Sequence, residues 1–326
     1  MKDFAIWEFI REQLEKGKPV ALLAVLHSEG SSPGRQGFKM ALAGSGEMCG
    51  SIGGGIMEHK LVELARKLLT ENKPFTPIFK KQIHSKEAPQ NQSGMICSGE
   101  QTVAIYYLQQ QDLAAIACML QVFSTNETEG QREVGRLNLN EKGLSFQPET
   151  DQTSRFTFSA ENNTIWQFSE RIPARETVYI IGGGHVALAL SKVLALLNFE
   201  LHLFDDRPGL NTFEANDYVH SKTVAPYSEI SDYIPEGEQT YVVIMTFGYR
   251  PDKEALKQVL GKEFKYLGLM GSQSKIDQLF AELKEEGFSE TDLKKVHAPI
   301  GIQIKSKTPE EIAISVAAQL VQVKNF

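Results

Sequence analysis

Cysteine is scarce in this chain, and long hydrophobic runs are missing. Among 326 residues there are three cysteines, Cys49, Cys97 and Cys118, and no two of them form a close CxxC pair. This odd, sparse set argues against a disulfide framework and a structural zinc site, so a reducing cytoplasm is the expected location. No window of about 18 residues is free of charge, which excludes a membrane-spanning helix. The first twenty residues mix charged and apolar side chains, unlike a signal peptide.

An excess of positive charge is also missing. The 34 Lys and Arg against 41 Asp and Glu give a net charge of -7, which offers no general attraction to nucleic acid or to an anionic membrane. There is no Walker loop, no Gly-x-Ser-x-Gly elbow and no His-x-Glu zinc signature, and the seven histidines do not group at ligand spacing. We therefore predict no metal site, and we expect neither a serine hydrolase nor an ordinary metalloenzyme.

The length of the chain favours two domains. From about Glu176 onward, short apolar strands alternate with helices, and this alternation predicts a parallel sheet. We predict an α/β protein with a smaller amino-terminal α/β domain at residues 1–125 and a polar β meander or linker at residues 126–172. A Rossmann-like domain with a doubly wound parallel sheet is predicted at residues 173–326.

A glycine turn joins the first strand of the predicted Rossmann-like domain to its first helix. Gly182, Gly183 and Gly184 follow an apolar strand, and Ala187 lies where a small residue lets helix and strand pack closely. The free amides at the start of the helix attract an anion. The pattern predicts a binding site for a phosphate-bearing ligand, and the alternative is a tight turn that binds nothing.

Four further residues belong to this predicted site. His185 follows the glycines, where it either donates to a ligand oxygen or simply begins the helix. Asp205 and Asp206 end the second strand, about 20 residues beyond the glycines, where an acid usually binds ribose hydroxyls. Arg207 comes next and could meet an extra phosphate instead. The same residues therefore also fit a nicotinamide dinucleotide.

A second turn of this kind contains Gly271, Ser272 and Lys275. It too follows a strand and opens a helix, and Ser272 is a natural N-cap. A lysine in the first turn opposes the helix dipole unless an anion shares the site. Lys275 is therefore a candidate ligand-binding residue, and the alternative is a surface lysine that reaches water.

Another glycine cluster, Gly53, Gly54 and Gly55, lies between a strand and a helix in the amino-terminal half. So many glycines suggest positive φ angles or a close approach of a ligand to the backbone. Glu58 lies in the first helical turn, where the dipole favours a carboxylate. The cluster and Glu58 are predicted to bind the ligand, with capping by Glu58 as the alternative.

Cys97 is the candidate reactive residue. It lies in a polar, glycine-bearing loop, where a thiol near helix amino termini can have a lowered pKa and act as a nucleophile or a soft-metal ligand. Cys118 lies in an apolar helix and Cys49 in a strand, so both are expected in the core.

These motifs together resemble the xanthine dehydrogenase accessory (XdhC/CoxI) family. The residues that carry the resemblance are Gly30-Ser-Ser-Pro33 with Gly37 and Met40, Gly53-Gly-Gly with Glu58, Gly94-Met-Ile-Cys97, Ile181-Gly-Gly-Gly-His-Val186, Phe204-Asp-Asp-Arg-Pro208, Tyr266-Leu-Gly-Leu-Met-Gly-Ser272 with Lys275, Pro299-Ile-Gly301 and Thr308-Pro-Glu-Glu-Ile-Ala313.

The resemblance implies a smaller amino-terminal domain, a Rossmann-like carboxy-terminal domain, and a chaperone that binds molybdopterin. Such a chaperone supports exchange of an oxo for a sulfido ligand on molybdenum and delivers the cofactor to a xanthine dehydrogenase-type molybdenum hydroxylase. The resemblance also makes a cysteine desulfurase and a second copy of the chain expected partners. Two positions depart from it: Ile56 stands where many members have a cysteine, and Tyr249 where many have a histidine.

Two other functions stay open at this point. One is an NAD(P)-dependent oxidoreductase, which the glycine turn and Asp205 support, although no pair of residues for acid–base hydride transfer stands out. The other is a scaffold between hydroxylase subunits and a sulfur donor, without a ligand. Bound pterin, bound dinucleotide or no ligand would separate the three.

Overall fold

The computed structural model describes residues 2–71, 73–83, 99–124, 134–149, 154–172, 175–197 and 199–325. The chain divides into two compact units. Unit 1 comprises Met1–Asn126 and Arg132–Ala174, and the described part of unit 2 is residues 175–325 without residue 198. The domain boundaries given above stay predictions, because compactness alone does not show which segment folds independently.

Unit 1 contains three α-helices and nine strands within its described residues. In chain order they are α1 (Lys2–Glu15), β1 (Val20–Gly30), β2 (Lys39–Ala43), β3 (Met48–Gly50), α2 (Gly55–Thr70), β4 (Ile78–Ile83), β5 (Gly99–Leu108), α3 (Leu113–Ser124), β6 (Val134–Asn140), β7 (Gly143–Glu149), β8 (Phe156–Ala160) and β9 (Trp166–Ile172).

The strands of unit 1 form two antiparallel sheets. The larger has the order β3-β2-β1-β5-β4, and the smaller has the order β7-β6-β9-β8. The first seven residues of β1 are all apolar, since both of its faces are covered there. Leu22 and its neighbours on one face pack with α1, α3 and the smaller sheet, whereas Leu23 on the other face packs with α2.

Unit 2 contains six α-helices and six strands within its described residues. They are β10 (Thr177–Ile181), α4 (His185–Leu196), β11 (Glu200–Asp205), α5 (Asn211–Glu214), β12 (Ser221–Val224), β13 (Gly237–Ile244), α6 (Tyr249–Val259), β14 (Phe264–Leu269), α7 (Gln273–Glu285), α8 (Glu290–Lys294), β15 (Val296–His297) and α9 (Pro309–Asn325).

These strands form one parallel sheet in the order β12-β11-β10-β13-β14-β15. From β10 the chain winds outward through β11 and β12, crosses back, and winds outward again from β13. Leu190 on α4 and Leu320 on α9 cover one face of the sheet. Leu256 on α6 and Leu279 on α7 cover the other. The predicted α/β class with a doubly wound parallel sheet is confirmed.

Some elements lie in segments for which the sequence predicted no regular structure. The short helix α5, the edge strand β12 and a 3-10 helix, Tyr227–Tyr233, lie between residues 208 and 240. They are short, and β12 is half exposed, so they lack the long apolar periodicity that marks the other elements. Over the part of the chain that the structure describes, no helix is both long and apolar enough to cross a membrane.

Candidate cofactor site

The candidate site of unit 2 lies at the carboxyl edge of the parallel sheet. The chain reverses its winding between the neighbouring strands β10 and β13. In doubly wound folds this switch point opens a crevice where ligands bind. The segments that leave the two strands, Gly182–Gly184 and Thr246–Gly248, therefore line the crevice.

The glycine turn after β10 is required by close packing. Gly182 has a φ of 108°, and a Cβ atom there would lie 2.4 Å from the Met245 carbonyl oxygen. At Gly183, a Cβ atom would lie 2.8 Å from Cδ2 of Phe213. Two of the three glycines are therefore needed by the fold itself, whatever binds above them.

Asp205 is enclosed by its own chain. Its buried carboxylate accepts hydrogen bonds from the Gly183 amide at 2.7 Å and from Arg207, through Nε at 2.8 Å, Nη2 at 2.9 Å and the backbone amide at 3.0 Å. Burial acts to raise the pKa of Asp205, but these hydrogen bonds outweigh it and hold the pKa below its ordinary value. With both oxygens engaged, Asp205 fixes the turn and offers no free oxygen to a ribose.

The start of α4 is open. Its N-cap, Gly184, makes no side-chain capping bond, and the first amides of a helix have no intrahelical partner. A Cβ atom at Gly184 would meet nothing within 4 Å. His185, the first residue of α4, is exposed. This is the place in the turn where amides face open space, so an anion fits here.

An aromatic side chain lies exposed at the same edge of the sheet. Phe247, which follows β13, is 61% exposed, and the Arg207 guanidinium carbon lies 4.4 Å from its ring centroid. Arg207 is itself held by Asp205, so this cation–π pair has a fixed geometry. A planar heterocycle can stack on the exposed part of the Phe247 ring.

A buried carboxylate links the second turn to the crevice. Asp252, on α6, accepts hydrogen bonds from the Thr246 amide at 2.9 Å and the Thr246 hydroxyl at 2.6 Å, and it forms an ion pair with Lys275 Nζ. Lys275 Nζ also donates to the Met270 carbonyl oxygen, at 3.3 Å. The Ser272 hydroxyl caps α7 by accepting from the Lys275 amide. Lys275 is therefore neutralised internally, although a quarter of its side chain stays exposed.

Gly271 precedes this cap, and a Cβ atom there would lie 3.0 Å from Lys275 Cδ. The glycine therefore makes room for the lysine stem. Asp206, the other acid after β11, is about one-third exposed and lies 3.8 Å from Arg207 Nε. It is the acid at this edge that solvent can reach.

The glycine cluster of unit 1 is closed by its own acid. Glu58 Oε2 accepts hydrogen bonds from the Ile52 amide at 2.8 Å, the Gly54 amide at 3.0 Å and the Ser51 hydroxyl at 2.7 Å. Burial, the largest single influence, acts to raise the pKa of Glu58, but these donors together hold it below its ordinary value. These contacts occupy the Ile52 and Gly54 amides and so favour the alternative, in which Glu58 serves the turn itself. Ligand binding by the cluster stays a prediction.

Gly53 and Gly55 in that cluster have φ angles of 126° and 71°. A Cβ atom at Gly53 would lie 2.5 Å from the Gly34 amide nitrogen, so this glycine serves a close approach of two loops within unit 1. Ile56, where the resemblance leads one to expect a cysteine, is 57% exposed.

Cys97, the candidate reactive residue, lies outside the described residues. Cys49 and Cys118 are half-buried free thiols that pack against the core of unit 1. Burial raises the pKa of the Cys49 thiol, which makes it less reactive. Phe247 and Asp252 were missed as site residues. The signal for Phe247 was a large aromatic directly after a buried strand, at the edge where ligands bind.

Two family models match the chain. The model described as the XdhC and CoxI family matches residues 13–79, and the model described as the XdhC Rossmann domain matches residues 178–320. The second range contains the whole candidate site of unit 2, from Gly182 to Lys275. The first contains the glycine cluster closed by Glu58.

Three curated proteins are similar over long stretches. YqeB, an uncharacterised protein of Escherichia coli (strain K12), is 26% identical over 317 residues, which are 95% of this chain and 44% of YqeB. A protein of Bacillus subtilis (strain 168), named as a probable xanthine dehydrogenase subunit, is 24% identical over 50% of this chain and 47% of that protein. The chain thus spans less than half the length of these two relatives. The molybdenum cofactor insertion chaperone PaoD of Escherichia coli (strain K12) is 21% identical over 98% of this chain and 88% of PaoD.

A solved structure has the same fold. A crystal structure of a xanthine dehydrogenase from Bacillus halodurans matches with a TM-score of 0.79 and 21% sequence identity, covering 100% of this chain and 96% of that one. The two family models, matched in order along the chain, agree with the motifs from which the resemblance was inferred. The chain belongs to the XdhC and CoxI family.

Proposed function

We propose that this chain is an accessory protein that binds the molybdenum cofactor for a xanthine dehydrogenase-type molybdenum hydroxylase. It supports sulfuration of the cofactor and its insertion into that enzyme, and it acts in the cytoplasm. Family membership supports the proposal, as do the names of two relatives, the molybdenum cofactor insertion chaperone PaoD and the probable xanthine dehydrogenase subunit of Bacillus subtilis. The chain itself acts as a carrier rather than as the hydroxylase.

The observation that carries the proposal is the open start of α4. Gly184 leaves space above uncapped amides, and Phe247 offers an exposed ring at the same edge of the sheet. Molybdopterin combines a phosphate with a planar pterin, so the amides suit one end and the ring suits the other. His185, exposed at the start of α4, is proposed to donate to a phosphate oxygen. When bound, the cofactor supplies the molybdenum centre that the client enzyme uses.

Two carboxylates support this site rather than touch the ligand. Asp205 holds Gly183 and Arg207, and thereby sets the turn and the guanidinium over Phe247. Asp252 accepts from Thr246 and forms an ion pair with Lys275, and thereby fixes the segment that leaves β13. These two carboxylates are positioning residues.

The test uses a glycine that the fold does not need. Gly184→Ala and the bulkier Gly184→Leu should place a side chain in the space above the α4 amides, and should weaken binding of purified molybdopterin progressively, about tenfold or more for leucine. The control is Gly44→Ala, at another glycine where a Cβ atom would meet nothing within 4 Å. Binding is measured by the fluorescence of the oxidised pterin that copurifies or is retained. Equal retention by all three variants would contradict the proposed site.

Cys97 is proposed to take part in sulfuration, as the thiolate that handles sulfur or contacts the soft metal. Cys97→Ala should abolish activation of the client hydroxylase, because activation needs the sulfido ligand, and it should reduce cofactor retention. Cys118→Ala is the matched control, since Cys118 packs against the core of unit 1. An equal loss in both variants would show a general effect on stability instead.

A dinucleotide is the second candidate ligand. The Rossmann domain favours it, but Asp205 has no free oxygen for a ribose, which leaves only Asp206 as an accessible acid after β11. Titration with NADH and NADPH, followed by fluorescence, is the direct comparison. Saturable dinucleotide binding that excludes molybdopterin, with turnover of a carbonyl substrate, would favour the oxidoreductase.

The partners of the chain are likewise proposed from its family. The hydroxylase and a cysteine desulfurase should each be retained by the immobilised chain, and the chain should self-associate as a homodimer. Light scattering measures the mass of the free chain, and pull-down with purified partners measures the other two. A monomeric mass would remove the homodimer from the proposal without affecting the cofactor.

A further inference from the structure

Three potential metal ligands meet where β1 ends and β5 begins, in unit 1. His27 and Glu29 lie on β1, and Glu100 lies on β5. One ligand atom from each of these side chains lies within 4.8 Å of the others. No other group of this kind occurs among the described residues. The group belongs to neither of the glycine turns.

The pairing of the strands explains why the group forms. Glu29 and Glu100 are direct partners in the antiparallel ladder, so their side chains lie side by side on one face. His27 lies two residues before Glu29 in the same continuous register, so ordinary alternation along the strand brings it to the same face. Gln101, the next residue of β5, points to the opposite face, where it donates to the Ile52 carbonyl oxygen.

Two carboxylates at directly opposed positions repel each other unless a cation lies between them. Lys81 Nζ lies 2.9 Å from Glu100 Oε2, so it offsets one of the two charges. Lys81 is 44% exposed and is free to move away. Within the described part of the chain, no cation pairs with Glu29. Among the described residues, the charge of Glu29 is therefore not balanced, and a divalent ion would balance it.

The imidazole of His27 is oriented for coordination. Its ring stacks on Phe158, with centroids 5.4 Å apart and planes at 16°. The stacking fixes the plane of the ring without using a nitrogen atom. Neither ring nitrogen has a hydrogen-bond partner within the described residues, so one can bind a metal and the other can donate to water.

We propose that His27, Glu29 and Glu100 form a binding site for a divalent transition-metal ion of the zinc class. One nitrogen and two carboxylate oxygens suit such an ion better than they suit Mg²⁺ or Ca²⁺, which take oxygen ligands alone. Ligand atoms around a tetrahedral zinc are about 3.4 Å apart, so the half-exposed side chains need to close by roughly 1 Å. Water completes the coordination.

This proposal departs from the expectation of no metal site in the sequence analysis, which itself stays a prediction. The histidines do not group along the chain, and the ligands come from two strands that are distant in sequence but adjacent in the sheet. The site shares no residue with the proposed cofactor site. The metal site and the cofactor site are therefore independent proposals.

The experiment measures zinc binding by the full chain after treatment with a chelator. Isothermal titration with Zn²⁺ should give one saturable site that prefers Zn²⁺ to Mg²⁺ in competition. Glu29→Gln, His27→Gln and Glu100→Gln should each weaken binding by about tenfold or more, which is at least the effect of losing an outer-shell partner. Carrying out the titrations in a Cys97→Ala background removes the contribution of that thiolate.

Two controls distinguish this site from adventitious binding. His59→Ala changes an exposed histidine on α2 and should leave the affinity unchanged. Lys81→Ala removes the competing ammonium group and should tighten binding several-fold, which no general loss of stability would produce. Zinc affinity that is equal in all variants, or the absence of a saturable site in the parent chain, would overturn the proposal. Because Glu29 is exposed, Glu29→Gln tests the site even if the His27 variant fails to fold.

Discussion

The two glycine turns look alike in sequence and differ in the structure. Each follows a strand, contains three glycines and opens a helix, α2 in unit 1 and α4 in unit 2. In unit 1, Glu58 reaches back four residues and accepts from two backbone amides, those of Ile52 and Gly54. In unit 2, the acid comes from the next strand, and Gly183 is the one glycine of the turn whose amide donates to Asp205. Neither N-cap, Gly54 of α2 nor Gly184 of α4, makes a side-chain capping bond. In unit 1, however, the acid occupies two amides that lead into the helix, whereas in unit 2 it occupies one amide inside the turn.

The difference comes from which residue follows the glycines. A carboxylate in the first turn of a helix lies close in sequence to the free amides before it and can accept hydrogen bonds from them. At the corresponding place α4 has apolar and small residues, Val186 and Ala187, which cannot cap it. A glycine cluster predicts an anion site only when no acid follows within the first helical turn. Variants at Gly182, Asp205 and Glu58 test this rule.

The largest effect is expected from Gly182→Ala. The added Cβ atom would lie 2.4 Å from the Met245 carbonyl oxygen, and the φ of 108° is strained for alanine. Steric overlap and backbone strain together should lower the free energy of unfolding of unit 2 by about 4 kcal/mol. Hydrogen exchange of the β10 and β13 peptides measures this loss.

Gly184→Ala is the matched control for that variant. It lies two residues away in the same turn, where a Cβ atom meets nothing within 4 Å, and it should change the exchange rates of these peptides little. Similar rates in the two variants would show that the turn relaxes to accept a side chain, and would remove the argument that packing requires Gly182.

A smaller effect is expected from Asp205→Asn. The amide cannot accept from both Gly183 and the Arg207 fork, so the variant should lose about 2 kcal/mol of unfolding free energy. Because hydrogen bonds hold the pKa of Asp205 below its ordinary value, its contribution is complete above the unfolded pKa of about 3.9. That contribution is lost as the pH falls through the folded pKa.

Hydrogen exchange of the peptide that contains β11, recorded at several acidic pH values, measures this loss of stability. The parent chain should lose stability below about pH 3.9 more steeply than Asp205→Asn does. An identical pH profile for both chains would mean that Asp205 has the same pKa in the folded and the unfolded chain, in conflict with its four donors.

The sequence predicted the scaffold of the site better than the contacts within it. The apolar strand before Gly182, the helix after Gly184 and the second strand that ends at Asp205 follow from local periodicity, and they are β10, α4 and β11 in the structure. The partners of Asp205 and Glu58 depend on where a side chain turns after the backbone has folded, and periodicity carries no such information. The role of Cys97 stays a prediction.

The same limit of sequence-based prediction applies to the proposed metal ligands, His27, Glu29 and Glu100. Their chemistry was visible in the sequence, but their proximity depends on the register of β1 and β5, which pairs Glu29 with Glu100. A shift of one residue would point Glu29 to the opposite face. Such a site follows from pairing and not from a motif.

The smallest effect on stability is expected from Glu58→Ala, and it tests the comparison most directly. The variant removes the acceptor for the Ile52 and Gly54 amides, but the side chain is partly exposed and water can replace it, so the cost should be about 1 kcal/mol. Unit 1 contains both tryptophans, Trp7 and Trp166, so urea unfolding followed by their fluorescence measures this loss.

The same variant should open the turn of unit 1 to anions. With Glu58 gone, the Ile52 and Gly54 amides lose their acceptor, and the variant should gain weak binding of inorganic phosphate that the parent chain lacks in unit 1. Phosphorus NMR titration of Glu58→Ala and Glu58→Gln measures the gain, with Glu63→Ala on the exposed side of α2 as the control. If Glu58→Ala binds phosphate no better than the Glu63 variant, then the closing carboxylate is not what distinguishes the two turns, and the shape of the glycine backbone itself must decide which of them accepts a ligand.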